Sequence, residues 1–312
     1  MCNCATHTIH HRHVGWDNAT PPAVRIEPGD TAEFTCIDAG SGHFNPESTR
    51  EDVTTLDFSN VNPVNGPIFV CGAAPGDTLK IDILSFRPSG FGWTAIIPGF
   101  GLLADQFPEP ELLLWHYDAK TCAPAAFGAH GRVPLRPFAG TIGLAPAARG
   151  VHSIVPPRRV GGNLDIKDLT VGTTLYLPVE VHGGLLSIGD THAAQGDGEV
   201  CGTAIESAMD VAVRIDILKN TGQEMPRFTT PGAVSRHVDS DGYEVTTGVG
   251  PDLMEGARAA VSHMIDLLCA MHGLTAEAAY MLCSVCGDLR ISELVDQPNW
   301  VVAFYFPRVV FT

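Results

Sequence analysis

The sequence predicts a mainly β protein, a sandwich or barrel built from repeated β modules, with a mixed α/β part at its C-terminal end. Three observations carry this. The chain holds 33 glycines and 23 prolines, a content that interrupts long helices and suits short strands joined by tight turns. Two segments, PGDTAEFTC at 28–36 and PGDTLKIDI at 75–83, share the tetrad Pro-Gly-Asp-Thr followed by alternating residues, and VGTTLYLPVEV at 171–181 is a weaker third copy. Helical periodicity is confined to the end, where DLMEGARAAVSHMIDLLCAMHG at 252–273 puts Leu253, Ala257, Ala260, Val261, Met264, Leu267 and Leu268 on one face.

The elements follow in order. Residues 1–20 form a head rich in histidine (His7, His10, His11, His13) with Cys2 and Cys4 nearby. No strand or helix spacing organises these side chains, so the head reads as a mobile or surface terminus without a metal role. Residues 21–150 read as an N-terminal β domain, in which each Pro-Gly pair fits the central positions of a type II turn and opens a strand. Residues 151–235 read as a further β segment, with strands in LYLPVEVHGGLLSIGD and AMDVAVRIDIL flanking a polar run. Residues 236–312 read as the α/β part. Its first helix stops at Gly273, Thr275 caps a second through AEAAYMLCSVC, and WVVAFYFPRVVF returns to strand.

Composition excludes several function classes. Nineteen lysines and arginines against 35 aspartates and glutamates give a net charge of −16, which repels phosphate backbones and anionic membrane surfaces. No run of about 18 apolar residues occurs. The first residues, MCNCATHTIHHRHVGWDN, carry no apolar core of a secretory signal, and this with an odd count of nine cysteines leads us to expect a reducing cytoplasm and no structural disulfides.

The chemistry concentrates in GDTHAAQGDGE at 189–199, which packs Asp190, His192, Asp197 and Glu199 among three glycines. Asp190 and His192 are two apart, so at a strand end they project to the same side and can reach one ion. A turn with Asx bonds would explain the aspartates, but not His, Gln and Glu together. GGNLDIKDL at 161–169 likewise sets Asn163 and Asp165 two apart behind a glycine pair, and cation sites gather ligands from more than one segment. Hard oxygens beside one imidazole suit zinc, manganese or calcium. His152, on an extended approach to this loop, is a candidate for the pocket edge. Cys201 is a minor nucleophile candidate on proximity alone, since no GxSxG occurs. The pair Cys283 and Cys286 lies inside the second helix and reads as buried thiols.

Read in order, NPVNGPIFVCGAAPGDTLKIDIL, IPGFGLL, PFAGTIGLAP, GGNLDIKDL, GDTHAAQGDGE, GTAIES and CGDLRISELVDQPN resemble the acetamidase/formamidase family over nearly the whole chain. The histidine-rich head and SGHFNPES at 41–48 depart from it. The resemblance implies hydrolysis of short aliphatic amides to a carboxylic acid and ammonia, a divalent metal near the motifs (zinc first, calcium or manganese as alternatives), and a homo-oligomer, a dimer. It places Asn163, Asp165, Asp190 and His192 around the metal and Glu199 beside it, with Glu206 in GTAIES a weaker candidate. On this reading Glu199 carries the proton from water to the leaving nitrogen, and Gly161, Gly162, Gly196 and Gly198 bring backbone N–H groups to the oxyanion. The alternatives are a hydrolase of another C–N bond or a larger amide on the same scaffold, and a non-catalytic binding protein in which a cation knits loops together.

Overall fold

The computed structural model describes residues 4–312; Cys2 lies outside the described residues. Each Pro-Gly-Asp-Thr tetrad is a closed turn. Gly29 and Gly76 take φ of +94° and +92°, and Gly172 in the third copy takes +87°, the left-handed region that a type II turn demands and glycine alone enters freely. The aspartate then locks the turn. Asp30 accepts from the backbone N–H of Ala5 and Glu27, at 2.8 and 3.1 Å, and Asp77 from those of Ala74 and Asn220, at 2.9 and 3.0 Å.

The three turns launch Thr31–Cys36, Thr78–Pro88 and Thr174–Pro178 into a single six-stranded sheet. Its order is Thr6–Ile9, Thr31–Cys36, Met209–Leu218, Thr78–Pro88, Thr174–Pro178, Arg227–Thr229. Along Thr31–Cys36 the pattern of period two is plain: Ala32, Phe34 and Cys36 are buried while their neighbours are half-buried. A second sheet runs Gly161–Asn163, Phe138–Gly143, Leu186–His192, Val64–Val70, Arg12–His13, with Val24–Ile26 parallel beside Val64–Val70. Phe34, Ile68, Leu79, Ile81, Ile188 and Val211 fill the space between the sheets. Both sheets have open edges, so the architecture is a sandwich. Strands from residues 1–20, 21–150 and 151–235 all enter these same two sheets.

The N-terminal head, expected as a mobile or surface terminus, lies at the surface but is tied to the sandwich. Thr6–Ile9 pairs in parallel with Thr31–Cys36, and the histidines bond separate partners: His7 to Asp30, His10 to Thr35, His11 to the Gly66 carbonyl, His13 to Ser187 and the Gly15 carbonyl. Sequence periodicity missed this because a four-residue edge strand shows too few alternations to register.

The C-terminal part forms a second core. Helix Leu253–His272 is capped by Asp252, which accepts from the N–H of Met254 and Glu255, and it ends at left-handed Gly273. Ala260, Val261, Met264 and Leu268 are buried, as the periodicity predicts, while Leu253, Ala257 and Leu267 are half-buried. Helix Ala276–Cys286, capped by Thr275, is buried from Ala279 onward. Both pack with the sheet Tyr243–Gly250, Trp300–Pro307, Asp288–Glu293. Each fully buried Leu or Phe here contributes about 1.5–3 kcal/mol. Ala193, Ala194, Val200, Cys201 and Ile205 join this second core, so the second polar motif and the chain just after it link sandwich to helices. No single described helix is long and apolar enough to cross a membrane.

Candidate active site

The strand Leu186–His192 is buried along its whole length and delivers two polar side chains, Asp190 and His192, to one end of the sandwich. Eight described non-glycine residues have positive φ, and four of them, Asn62, Asp165, Asp190 and Glu199, line a single cavity. Such conformations cost on the order of 1–3 kcal/mol each and persist where the surroundings over-determine them, a pattern concentrated at functional sites.

The geometry at the floor is tight. His192 Nε2 lies 3.1 Å from Asp190 Oδ1 and 3.1 Å from Glu206 Oε2. Asp190 Oδ2 accepts from Asn62 Nδ2 and from Thr141 Oγ1, each at 3.1 Å. Glu206 is fixed by backbone pairing with Trp93 and by the Ala204 N–H donating to its Oε1 at 2.9 Å. Its Oε2 is buried without a hydrogen-bond partner, as is Asp165 Oδ1. Gly140 makes room for this convergence: a Cβ there would stand 2.5 Å from Asp165 Oδ1, 2.8 Å from His192 Cε1 and 3.1 Å from Asp190 Oδ2.

The tautomer of His192 follows from Gln195. The Gln195 amide nitrogen donates to the carbonyls of Asp165 and Gly196, at 2.8 and 3.2 Å, so its Oε1 accepts from His192 Nδ1–H at 2.9 Å. In the neutral ring Nε2 then carries a lone pair that faces two carboxylates. Acceptors facing acceptors in a buried site need a positive charge between them. A proton or a divalent cation satisfies that need, and the orphaned oxygens of Asp165 and Glu206 fit the cation. Two overlapping groups have ligand atoms within 4.8 Å of one another: Asp165, Asp190, His192 and His192, Glu199, Glu206.

The charges respond accordingly. Burial, then the neighbouring Asp190 carboxylate, pushes the Asp165 carboxyl up to about 7. Burial and Asp165 hold Glu199 well above the usual carboxylate range, and burial raises Glu206. Burial opposes protonation of His192, but Glu206 and Asp190 outweigh it and raise the imidazole well above its usual value.

Above this floor lies a cavity of about 300 Å3 walled by Leu56, Val61, Trp93, Ile97, Phe100 and Val155. Asn163 stands at its rim, with Oδ1 already accepting from Thr141 at 2.7 Å and from Asn62 at 3.4 Å; it orients the hydrogen bonds around Asp190. The structure thus brings Asn163, Asp165, Asp190, His192, Glu199 and Glu206 together. Four other expectations differ. Cys201 is fully buried in the second core, its thiol against the Ala95 and Thr203 carbonyls at 3.6 Å, and burial raises its pKa. It does not line the cavity, and a buried thiol of raised pKa is poorly suited to attack. His152 pairs with Trp16 and the Ala148 carbonyl and stays off the cavity, while Asp197 turns to Lys167. Two of the four glycines serve packing: Gly196 N–H is engaged by the Ser284 carbonyl and Gly161 N–H by that of Arg158. A Cβ at either would strike backbone, so close approach of chains, not an oxyanion, requires glycine here.

Sequence reasoning missed Asn62, Gln195 and the aromatic walls. The only local signal for Gln195 is its place three residues after His192, which is too general to single it out.

A family model described as the Acetamidase/Formamidase family matches residues 3–154 and 147–312. The chain belongs to the acetamidase/formamidase family. Among curated relatives, it is 33% identical over 115 residues to a formamidase of Methylophilus methylotrophus and 30% over 123 residues to an acetamidase of Mycolicibacterium smegmatis. Each alignment covers 35% of this chain, but only 28% and 30% of those relatives. Among solved structures, a gamma lactamase from Delftia acidovorans superposes with a TM-score of 0.90 at 25% identity, covering 99% of this chain and 93% of that one. An acetamidase from Bacillus halodurans gives 0.68 at 32% identity, covering 96% of both chains. The GGN-x-D and GD-x-HA-x-QGDGE segments of this acetamidase/formamidase member are the ones that converge at the acidic floor.

Proposed function

We propose that the protein is a metal-assisted amidase that hydrolyses short-chain aliphatic amides, formamide and acetamide among them, to the carboxylic acid and ammonia. Family membership supports the reaction class. The observation that carries the mechanism is His192 Nε2, left as an acceptor by Gln195 and facing Asp190 and Glu206 beside the orphaned Asp165 oxygen. Asp165, Asp190, His192 and Glu206 would hold the cation, and mixed nitrogen and oxygen donors favour zinc, then manganese or calcium. When bound, a divalent cation supplies Lewis acidity to the carbonyl and lowers the pKa of water from about 15.7 toward about 7. Glu199 takes the proton of the attacking water and returns it to the departing nitrogen. Its raised affinity for a proton suits the second half of that transfer. Gln195 keeps the imidazole turned toward the site, and the apolar walls exclude water so that each charge acts at low dielectric.

Ammonia release from formamide and acetamide tests this directly. Glu199→Gln should keep its metal and lose about 10²–10⁴ in kcat, while Asp190→Asn should lose metal as well. Turnover near wild type in Glu199→Gln would remove that residue from proton transfer. A second reading, opening of a cyclic amide, is supported by the closer superposition on the gamma lactamase. A γ-lactam yields an amino acid without free ammonia, so an amine assay beside the ammonia assay separates the two.

A further inference from the structure

The space above the acidic floor is larger than formamide or acetamide needs. About 300 Å3 is the liquid volume of about ten water molecules, and acetamide has only about four heavy atoms. The surplus is apolar. Leu56, Val61, Ile97 and Val155 contribute aliphatic wall, and Trp93 forms a rigid face. Its indole N–H donates to Asp38 Oδ1 at 3.0 Å, and its ring packs on Phe44 at 4.5 Å between centroids. Among the described residues no basic side chain lines the cavity, and its ionisable groups are the floor carboxylates Asp165, Asp190, Glu199 and Glu206. An anionic acyl tail would find no cationic partner in the apolar walls and would lose its hydration there.

The mouth is framed by two phenylalanines, Phe58 and Phe100, 52% and 39% exposed, with rings edge to face at 6.2 Å. Phe100 is seated against Gly202, where an added Cβ would lie 2.5 Å from its ring. An aromatic pair in this position gives an apolar guest a surface that water otherwise covers.

Taking the amidase reading of this site as given, we propose that the substrate is a neutral carboxamide with an extended apolar acyl group, about seven to nine heavy atoms in all. Its carboxamide lies over the acidic floor, and its acyl group lies between Trp93, Ile97, Leu56 and the Phe58–Phe100 pair. Ammonia release along the series acetamide, butanamide, hexanamide and benzamide, with anionic succinamate as a control of similar size, tests the assignment on the metal-replete protein. From acetamide to hexanamide, kcat/KM should rise about fourfold per buried methylene, and succinamate should fall at least about tenfold below hexanamide. Phe100→Ala and Phe58→Ala, both at exposed positions, should each lower the ratio of hexanamide to acetamide about fivefold. Leu56→Trp, which fills the cavity, should invert that ratio. Rates that stay flat or fall from acetamide to hexanamide, or succinamate equal to hexanamide, would overturn the inference while leaving the amidase intact. Failure to hydrolyse any amide would overturn the amidase reading itself.

Discussion

The two halves of the candidate site are held by different means. Asp190 and His192 ride a central strand whose register is fixed by backbone pairs, His192 opposite Phe138 and Thr191 opposite Ala139. Gln195, Glu199 and Glu206 ride the segment that follows, which is anchored by the C-terminal core. Gly196 N–H donates to the Ser284 carbonyl at 2.8 Å, Cys201 N–H to Ser284 Oγ at 3.1 Å, and Asp197 N–H to Asp288 at 3.1 Å. Lys167, two residues after Asp165, is ion-paired with that same Asp288. On the proposed reading the sandwich supplies most of the cation ligands, and the docked helices fix the proton carrier. Catalysis on this account needs both cores in contact.

Substitutions break the halves separately. The largest effect should come from His192→Ala, which removes the one nitrogen donor and leaves Asp190 and Glu206 repelling each other in a buried site. We expect loss of bound metal and of at least about 10³ in kcat/KM, measured by metal analysis and ammonia release. Gly140→Ala and Gly196→Ala then separate strand from loop. The first places a methyl 2.5 Å from Asp165 Oδ1 and should lose metal affinity with little change in helix docking. The second places one 1.8 Å from the Gly287 carbonyl and should cost about 1–3 kcal/mol in thermal unfolding, lowering kcat with metal content kept. If both behave alike, the halves are a single unit.

Protonation gives a smaller effect of defined sign. Asp165 has a folded-state pKa of about 7, raised by burial and Asp190, above its ordinary unfolded value. A raised carboxyl stabilises the fold fully below that ordinary value and loses the contribution as pH rises through about 7. The metal-free protein should therefore melt at a higher temperature at pH 5 than at pH 8. A cation must displace that proton, so its affinity and its stabilisation should both grow with pH through 7, readable by titration calorimetry and thermal shift. Smallest of all is Cys201→Ala. Its thiol packs in the core away from the cavity, so activity should stay within about twofold and stability should fall by about 1 kcal/mol. A dead, folded, metal-replete variant would return that thiol to the chemistry.

The strand half was legible in the sequence because period two makes spacing equal to geometry. Asp190 and His192, two apart on Leu186–His192, reach one site as their spacing implies, whereas Asp165 lies just past the strand Gly161–Asn163 at φ of +48° and arrives by a turn that spacing does not describe. The Pro-Gly-Asp-Thr turns and the helix from Leu253 to His272 were legible for the same reason, since turn chemistry and caps are local. The loop half was not. Glu206 sits 14 residues beyond His192 in sequence and reaches it by direct antiparallel pairing, with Trp93 pairing on its other side, contacts no local pattern encodes. Asn62 arrives from the loop that leads into Val64–Val70, and Gly196 of QGDG is dictated by the backbone of Gly287, far along the chain. The apolar walls come from scattered segments, each unremarkable alone.

The central claim is that a cation held at His192 is required for amide hydrolysis. It is tested most directly by stripping the purified protein with a chelator, measuring residual metal, and following ammonia release before and after reloading with zinc, manganese or calcium. The account predicts activity that falls in proportion to metal removed and returns with one of these ions at about one per site. Undiminished amide hydrolysis by metal-free protein would contradict it.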